Sequence, residues 1–87
     1  MNYYLFSAVH RCVPCKFLVH DLDKYFPEWK NYIEYVDVDN STKEQMELAL
    51  KLNIRTIPAF SNNETILLKG FTLKRTVEEI KNLCTKE

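Results

Sequence analysis

The chain has 87 residues, of which 46% are apolar, 13% aromatic and 28% charged, with a single glycine. That profile predicts one compact globular domain over residues 1–87 and excludes a disordered tail or a collagen-like repeat. Twelve basic residues balance twelve acidic ones, so a long-range pull toward phosphate is missing, and neither nucleic acid nor an anionic membrane is expected as a partner.

The chain begins Met1-Asn2-Tyr3-Tyr4-Leu5-Phe6, without a basic lead or a small-residue cleavage site, so a secretory signal is not expected. No apolar run approaches the roughly 20 residues that span a bilayer, and a cytoplasmic monomer is the expectation. Residues 2–8 are aromatic and apolar and read as a short buried strand. His10 and Arg11 form a loop. From Pro14 to about Phe26 the apolar residues Phe17, Leu18, Leu22, Tyr25 and Phe26 are assigned to one helical face; Pro14 suits the first turn, where its missing N–H costs nothing, and Pro27 ends the helix. Trp29 follows in a loop and reads as a packing residue.

Tyr32–Val38 is β-branched and aromatic, a second strand. Ser41-Thr42-Lys43-Glu44 has a capping-box pattern, so a helix begins near Thr42, with Met46, Ala49, Leu50 and Leu52 as its apolar stripe and Asn53 as its stop. Ile57–Phe60 reads as a third strand, Asn62-Asn63 as a tight hairpin turn, and Thr65–Lys69 as a fourth strand antiparallel to the third. After Gly70 a last helix runs from about Leu73 to Cys84, with Leu73, Val77, Ile80 and Leu83 or Cys84 facing inward. The order β-α-β-α-β-β-α predicts an α/β fold: a four-stranded mixed sheet, with a parallel pair from the strand–helix–strand unit, an antiparallel hairpin, and helices on both faces.

Three cysteines, Cys12, Cys15 and Cys84, are an odd set unlike a secreted disulfide scaffold. Two of them stand in Cys12-Val13-Pro14-Cys15, between the first strand and the first helix. A helix N-terminus carries roughly half a positive charge and unpaired N–H groups, which favour a thiolate over a thiol. His10, Arg11 and Lys16 add local positive charge, so Cys12 is expected to have a lowered pKa and to act as the exposed nucleophile. Cys15, nearly one helical turn on, is placed to attack a mixed disulfide at Cys12 and leave the pair oxidised. A zinc site from His10, Cys12, Cys15 and His20 is the structural alternative. It is disfavoured because His20 turns away on the same predicted helix and no second CxxC exists.

The CxxC between the first strand and first helix, the order of elements and the stretch Ile54-Arg55-Thr56-Ile57-Pro58 together resemble the thioredoxin superfamily. The similarity covers nearly the whole chain, Asp37-Val38-Asp39 and Gly70 included. It implies a thioredoxin fold in which Pro58 is cis and packs beside the CxxC, with Thr56, Ile57, Val13, Gly70 and Phe71 lining the substrate groove. Thioredoxins usually place Trp before the first cysteine and Gly after it, where this chain has Arg11 and Val13. Phe6 stands where they carry a buried Asp, so the proton of the resolving cysteine leaves by another route. Gly70-Phe71-Thr72-Leu73 lacks the acidic pair with which glutaredoxins hold glutathione; it is closer to small glutaredoxin-like proteins that behave as thioredoxins and feed electrons to ribonucleotide reductase.

The expected activity is therefore reduction of protein disulfides through Cys12 and Cys15. No bound cofactor is expected, and a thioredoxin-reductase-like or glutathione-based system would regenerate the dithiol. A glutathione-dependent glutaredoxin using Cys12 alone, and a non-redox module whose CxxC holds metal or shapes a docking surface, are the competing readings. Val9, Val13, Ile57 and Phe71 form a possible apolar rim around Cys12, Arg11 and Arg55 could select acidic partners, and Cys84 reads as a buried core residue.

Overall fold

A computed structural model describes residues 3–69 and 74–86. Its elements in chain order are strand β1 (Tyr3–Ser7), helix α1 (Val13–Tyr25), a 3₁₀ turn (Pro27–Asn31), strand β2 (Ile33–Asp37), helix α2 (Lys43–Leu52), strands β3 (Ala59–Ser61) and β4 (Ile66–Lys69), and helix α3 (Lys74–Thr85). The strands form one four-stranded sheet in the order β2-β1-β3-β4. β1 runs parallel to β2, with Tyr3 opposite Ile33 and Ser7 opposite Asp37, and antiparallel to β3, which is itself antiparallel to β4. The chain is thus α/β with a mixed sheet, as its element order predicts, and this architecture fits a thioredoxin-like fold.

β1 is paired on both sides, which explains its largely aromatic and apolar composition up to Ser7: a strand covered on both faces needs no polar side. Alternation sends Leu5 into a core shared with Leu18, Leu22 and Phe26 of the α1 region, Trp29, Phe60, and Val77 and Ile80 of α3. Phe6 points the opposite way, to Val36 and Ala59, where Leu48, Ala49 and Leu52 of α2 close over it. Helices α1 and α3 therefore cover one face and α2 the other. Tyr3 ties the first layer together by donating from its hydroxyl to the Leu83 carbonyl (3.0 Å) and stacking on Phe60 (5.5 Å).

Several local expectations are corrected by packing. On α1 the buried side is Cys15, Leu18 and Leu22, while Phe17 is 58% exposed and Tyr25 lies at the surface. Consecutive residues stand about 100° apart around a helix, so Phe17 falls outside a stripe centred on Leu22. Trp29 sits in a 3₁₀ turn rather than a loop, buried, with its indole N–H donating to Asp23 (2.8 Å).

The capping box of α2 uses Thr42 and Gln45, one position later than Ser41 and Glu44. Thr42 Oγ1 accepts from the Gln45 N–H (3.1 Å) and Gln45 Oε1 accepts from the Thr42 N–H (3.0 Å). The stripe of this helix is Leu48, Ala49 and Leu52, whereas Met46 and Leu50 are exposed. Apolar residues so dense along Met46–Leu52 surround the helix, and periodicity alone does not choose a side. Asn53 does end α2, in the left-handed conformation (φ 58°).

β3 starts at Ala59, so Ile57 and Pro58 precede the strand instead of opening it. The β3–β4 connection is a four-residue loop, not a tight Asn-Asn turn: Asn62 Oδ1 accepts from the backbone N–H groups of Glu64 and Thr65 (both 2.7 Å), an Asx turn that needs no positive φ. Leu73, predicted to begin the last helix, lies outside the described residues; Val77, Ile80 and Cys84 are buried on α3.

Candidate functional site

The site is built at the C-terminal ends of the parallel pair β1–β2. As β1 ends, the Ala8 carbonyl accepts from the N–H groups of both Arg11 (3.1 Å) and Cys12 (2.8 Å), a turn that swings the chain into α1. Cys12 is extended and caps that helix: its Sγ accepts from the Cys15 N–H (3.2 Å), and its carbonyl accepts from the Lys16 N–H (3.1 Å). Pro14 occupies the first turn, where no N–H is required.

Cys12 and Cys15 are joined as a disulfide, with Cα atoms 5.2 Å apart. The pair is asymmetric. Cys15 is fully buried on the core side of α1, while Cys12 is half-exposed at its tip. A partner reaching this site meets the Cys12 sulfur and not that of Cys15.

The Ile57–Pro58 segment is brought to the cysteines. The Ile57 carbonyl oxygen lies 4.0 Å from Cys12 Sγ, and the peptide between Ile57 and Pro58 is cis. Pro58 is buried, Ile57 is half-buried against the α2-side core, and Thr56 is exposed. Val13, next to Cys12, is 57% exposed, and Phe17 stands one turn further along α1, also exposed. Val9 is half-buried. Gly70 and Phe71 lie outside the described residues.

The three basic residues around the motif divide. Lys16 is exposed, and its backbone N–H donates to the Cys12 carbonyl. Arg11 grips Asp39 with two donors, Nε to Oδ2 and Nη2 to Oδ1 (3.0 Å), and His10 Nε2 lies 2.8 Å from Asp39 Oδ2 and its Nδ1 3.8 Å from Asp37 Oδ2. The hydrogen bond from Arg11, with its charge and that of His10, holds the Asp39 carboxyl below the usual range, and Asp39 in turn raises the Arg11 guanidinium. The positive charge that composition assigns to Cys12 is thus matched by a carboxylate on the next loop. Sequence reasoning used Asp37 and Asp39 only as part of a resemblance; the signal it left unused is the parallel register, because Ser7 opposite Asp37 places residues just beyond both strand ends side by side.

His10 is drawn into this ion-pair cluster and His20 is exposed on α1. Among the described residues, the side chains close enough together to share a metal ion are His10, Asp37 and Asp39, without either cysteine of the motif. Arg55 is exposed and donates to Asn53 Oδ1 (3.0 Å). Cys84 is a free, buried thiol on α3, which burial pushes up to about 11. Among the described residues no helix is long and apolar enough to cross a membrane. Neither a protein-family profile nor a curated protein sequence matches this chain.

Proposed function

We propose that this protein is a small cytoplasmic thiol–disulfide oxidoreductase of thioredoxin fold, whose dithiol form reduces disulfides in other proteins. The observation that carries the reading is the asymmetry of the pair: a half-exposed Cys12 at the tip of α1 and a buried Cys15 already in bonding reach of it. The N–H of Cys15 aimed at Cys12 Sγ supplies a donor to a sulfur anion. The Ile57 carbonyl at 4.0 Å offers a backbone acceptor beside the same sulfur, where an extended partner chain would find one.

In the forward direction the Cys12 thiolate attacks one sulfur of a partner disulfide. A new S–S bond forms, the partner's bond breaks, and its second sulfur leaves as a thiolate that takes a proton from water. Cys15 then gives up its proton to solvent and attacks Cys12 Sγ, so that the mixed disulfide breaks and the partner's other thiolate departs and is protonated. Two electrons pass from the dithiol to the partner, and the protein is left with the Cys12–Cys15 bond. A separate thiol-based reductant restores it.

The test is a redox titration in glutathione buffers of varied ratio, with each cysteine read by alkylation and mass spectrometry. The expected result is a reversible two-electron transition confined to Cys12 and Cys15, between about −270 and −200 mV. Replacing Cys15 with Ser should trap mixed disulfides at Cys12. A stable glutathione adduct on Cys12 of the unaltered protein would move the assignment to a glutaredoxin. Thiols masked until metal is chelated would overturn the redox reading.

A further inference from the structure

The residue immediately before the nucleophile is the most constrained arginine at the site, and its partner lies on another loop. Arg11 presents Nε and Nη2 to the two oxygens of Asp39, and His10 adds a third contact to the same carboxylate. Asp39 is itself fixed, its N–H donating to Asp37 Oδ1 (2.9 Å), and Val38 donates to the Ser7 carbonyl (3.0 Å), which fastens this loop to the end of β1. A guanidinium held by both carboxylate oxygens has a set direction and a matched charge, unlike a lone lysine or a free arginine. An unpaired cation beside a cysteine lowers its thiol pKa and stabilises the reduced form; here the cation is paired with a carboxylate 28 positions away in sequence.

We propose that Asp39 is a positioning residue for the redox pair: by holding Arg11 in a matched ion pair it keeps the thiolate population of Cys12 down and makes the Cys12–Cys15 disulfide harder to reduce. This rests on the oxidoreductase reading above. The couple concerned is the two-electron, two-proton reduction of the Cys12–Cys15 bond, with glutathione as the reductant: two glutathione thiols become one glutathione disulfide as the protein gains two thiols.

The experiment measures that equilibrium constant, and the rate of Cys12 alkylation by iodoacetamide below neutral pH, in the full chain and in D39N, D39E, R11Q and the D39N/R11Q double variant. D39N is expected to raise both quantities about two- to fivefold, the scale of an exposed charge interaction. D39E should stay near the unaltered protein. The decisive comparison is D39N made on R11Q, where the gain should vanish because no arginine is left to be released. A D39N variant indistinguishable from the parent overturns the proposal, as does an equal gain with and without Arg11. A parent protein that does not exchange with glutathione at all overturns the oxidoreductase reading and this inference with it, so the two failures are told apart by the parent alone.

Discussion

At the scale of single residues, three cysteines of one chain are given three different chemistries by their surroundings. Cys12 caps a helix at half exposure, Cys15 is sealed beneath it, and Cys84 is a thiol in an apolar layer whose burial disfavours the anion. Cys84 should therefore resist iodoacetamide in the folded protein at pH 8 and react on addition of denaturant. Its thiol is raised from 9.0 to about 11 in the native state. Between those values the unfolded chain has lost a proton that the native state keeps, so stability falls as pH rises, by up to about 1.4 kcal/mol per pH unit from this group. A C84A variant should lack that part of the alkaline slope, which paired denaturation curves at pH 8 and pH 10 would read. Asn53 is a second residue set by its backbone. At φ 58° a Cβ without a local hydrogen bond is unfavourable, and N53A should cost about 1 kcal/mol while N53G recovers most of it, measured as the shift of a urea midpoint.

At the scale of elements, capping chemistry does more to place the helices than apolar spacing does. α1 begins where Cys12 can accept from the Cys15 N–H, so helix initiation and the reactive sulfur are the same feature. α2 begins where Thr42 and Gln45 exchange side-chain and backbone bonds. T42A should destabilise the protein by about 1 kcal/mol, visible in thermal unfolding, and leave the glutathione equilibrium of Cys12–Cys15 unchanged, since α2 packs on the face of the sheet opposite α1. The β3–β4 loop follows the same logic: the Asn62 side chain satisfies two backbone donors, which lets four residues turn the chain without a glycine.

At the scale of the molecule, one central strand serves two cores, and the larger core is closed by a residue outside any long helix. Trp29 in the 3₁₀ turn is buried among side chains from α1, α3 and the sheet, with its N–H satisfied by Asp23. W29A should cost about 3–5 kcal/mol, a large share of the roughly 5–15 kcal/mol that holds a domain of this kind together. A guanidinium midpoint would show it. The same core holds α1 along its length, through Leu18, Leu22 and Phe26, so the position of the cysteines depends in part on packing at the far end of their helix.

The sequence by itself determined the order of elements, the buried first strand, the start of α2 near Thr42, the stop at Asn53 and the placing of Cys12-Val13-Pro14-Cys15 at a helix start, because each is a local property of neighbouring residues. It also pointed to Ile57 and Pro58, and the tertiary structure is what carries the Ile57 carbonyl to 4.0 Å from Cys12 Sγ. Only that structure decided which side of α1 and α2 is buried, since apolar residues at Phe17, Met46 and Leu50 satisfy a helical pattern without being covered. The pairing of charge at the site was likewise beyond a linear reading. Arg11 reads as an unpaired cation in the sequence, and it is the parallel register of β1 and β2 that brings Asp39 against it. Coulombic and hydrogen-bond energies act through space over a few ångströms, and residues 28 positions apart become neighbours only when the sheet forms.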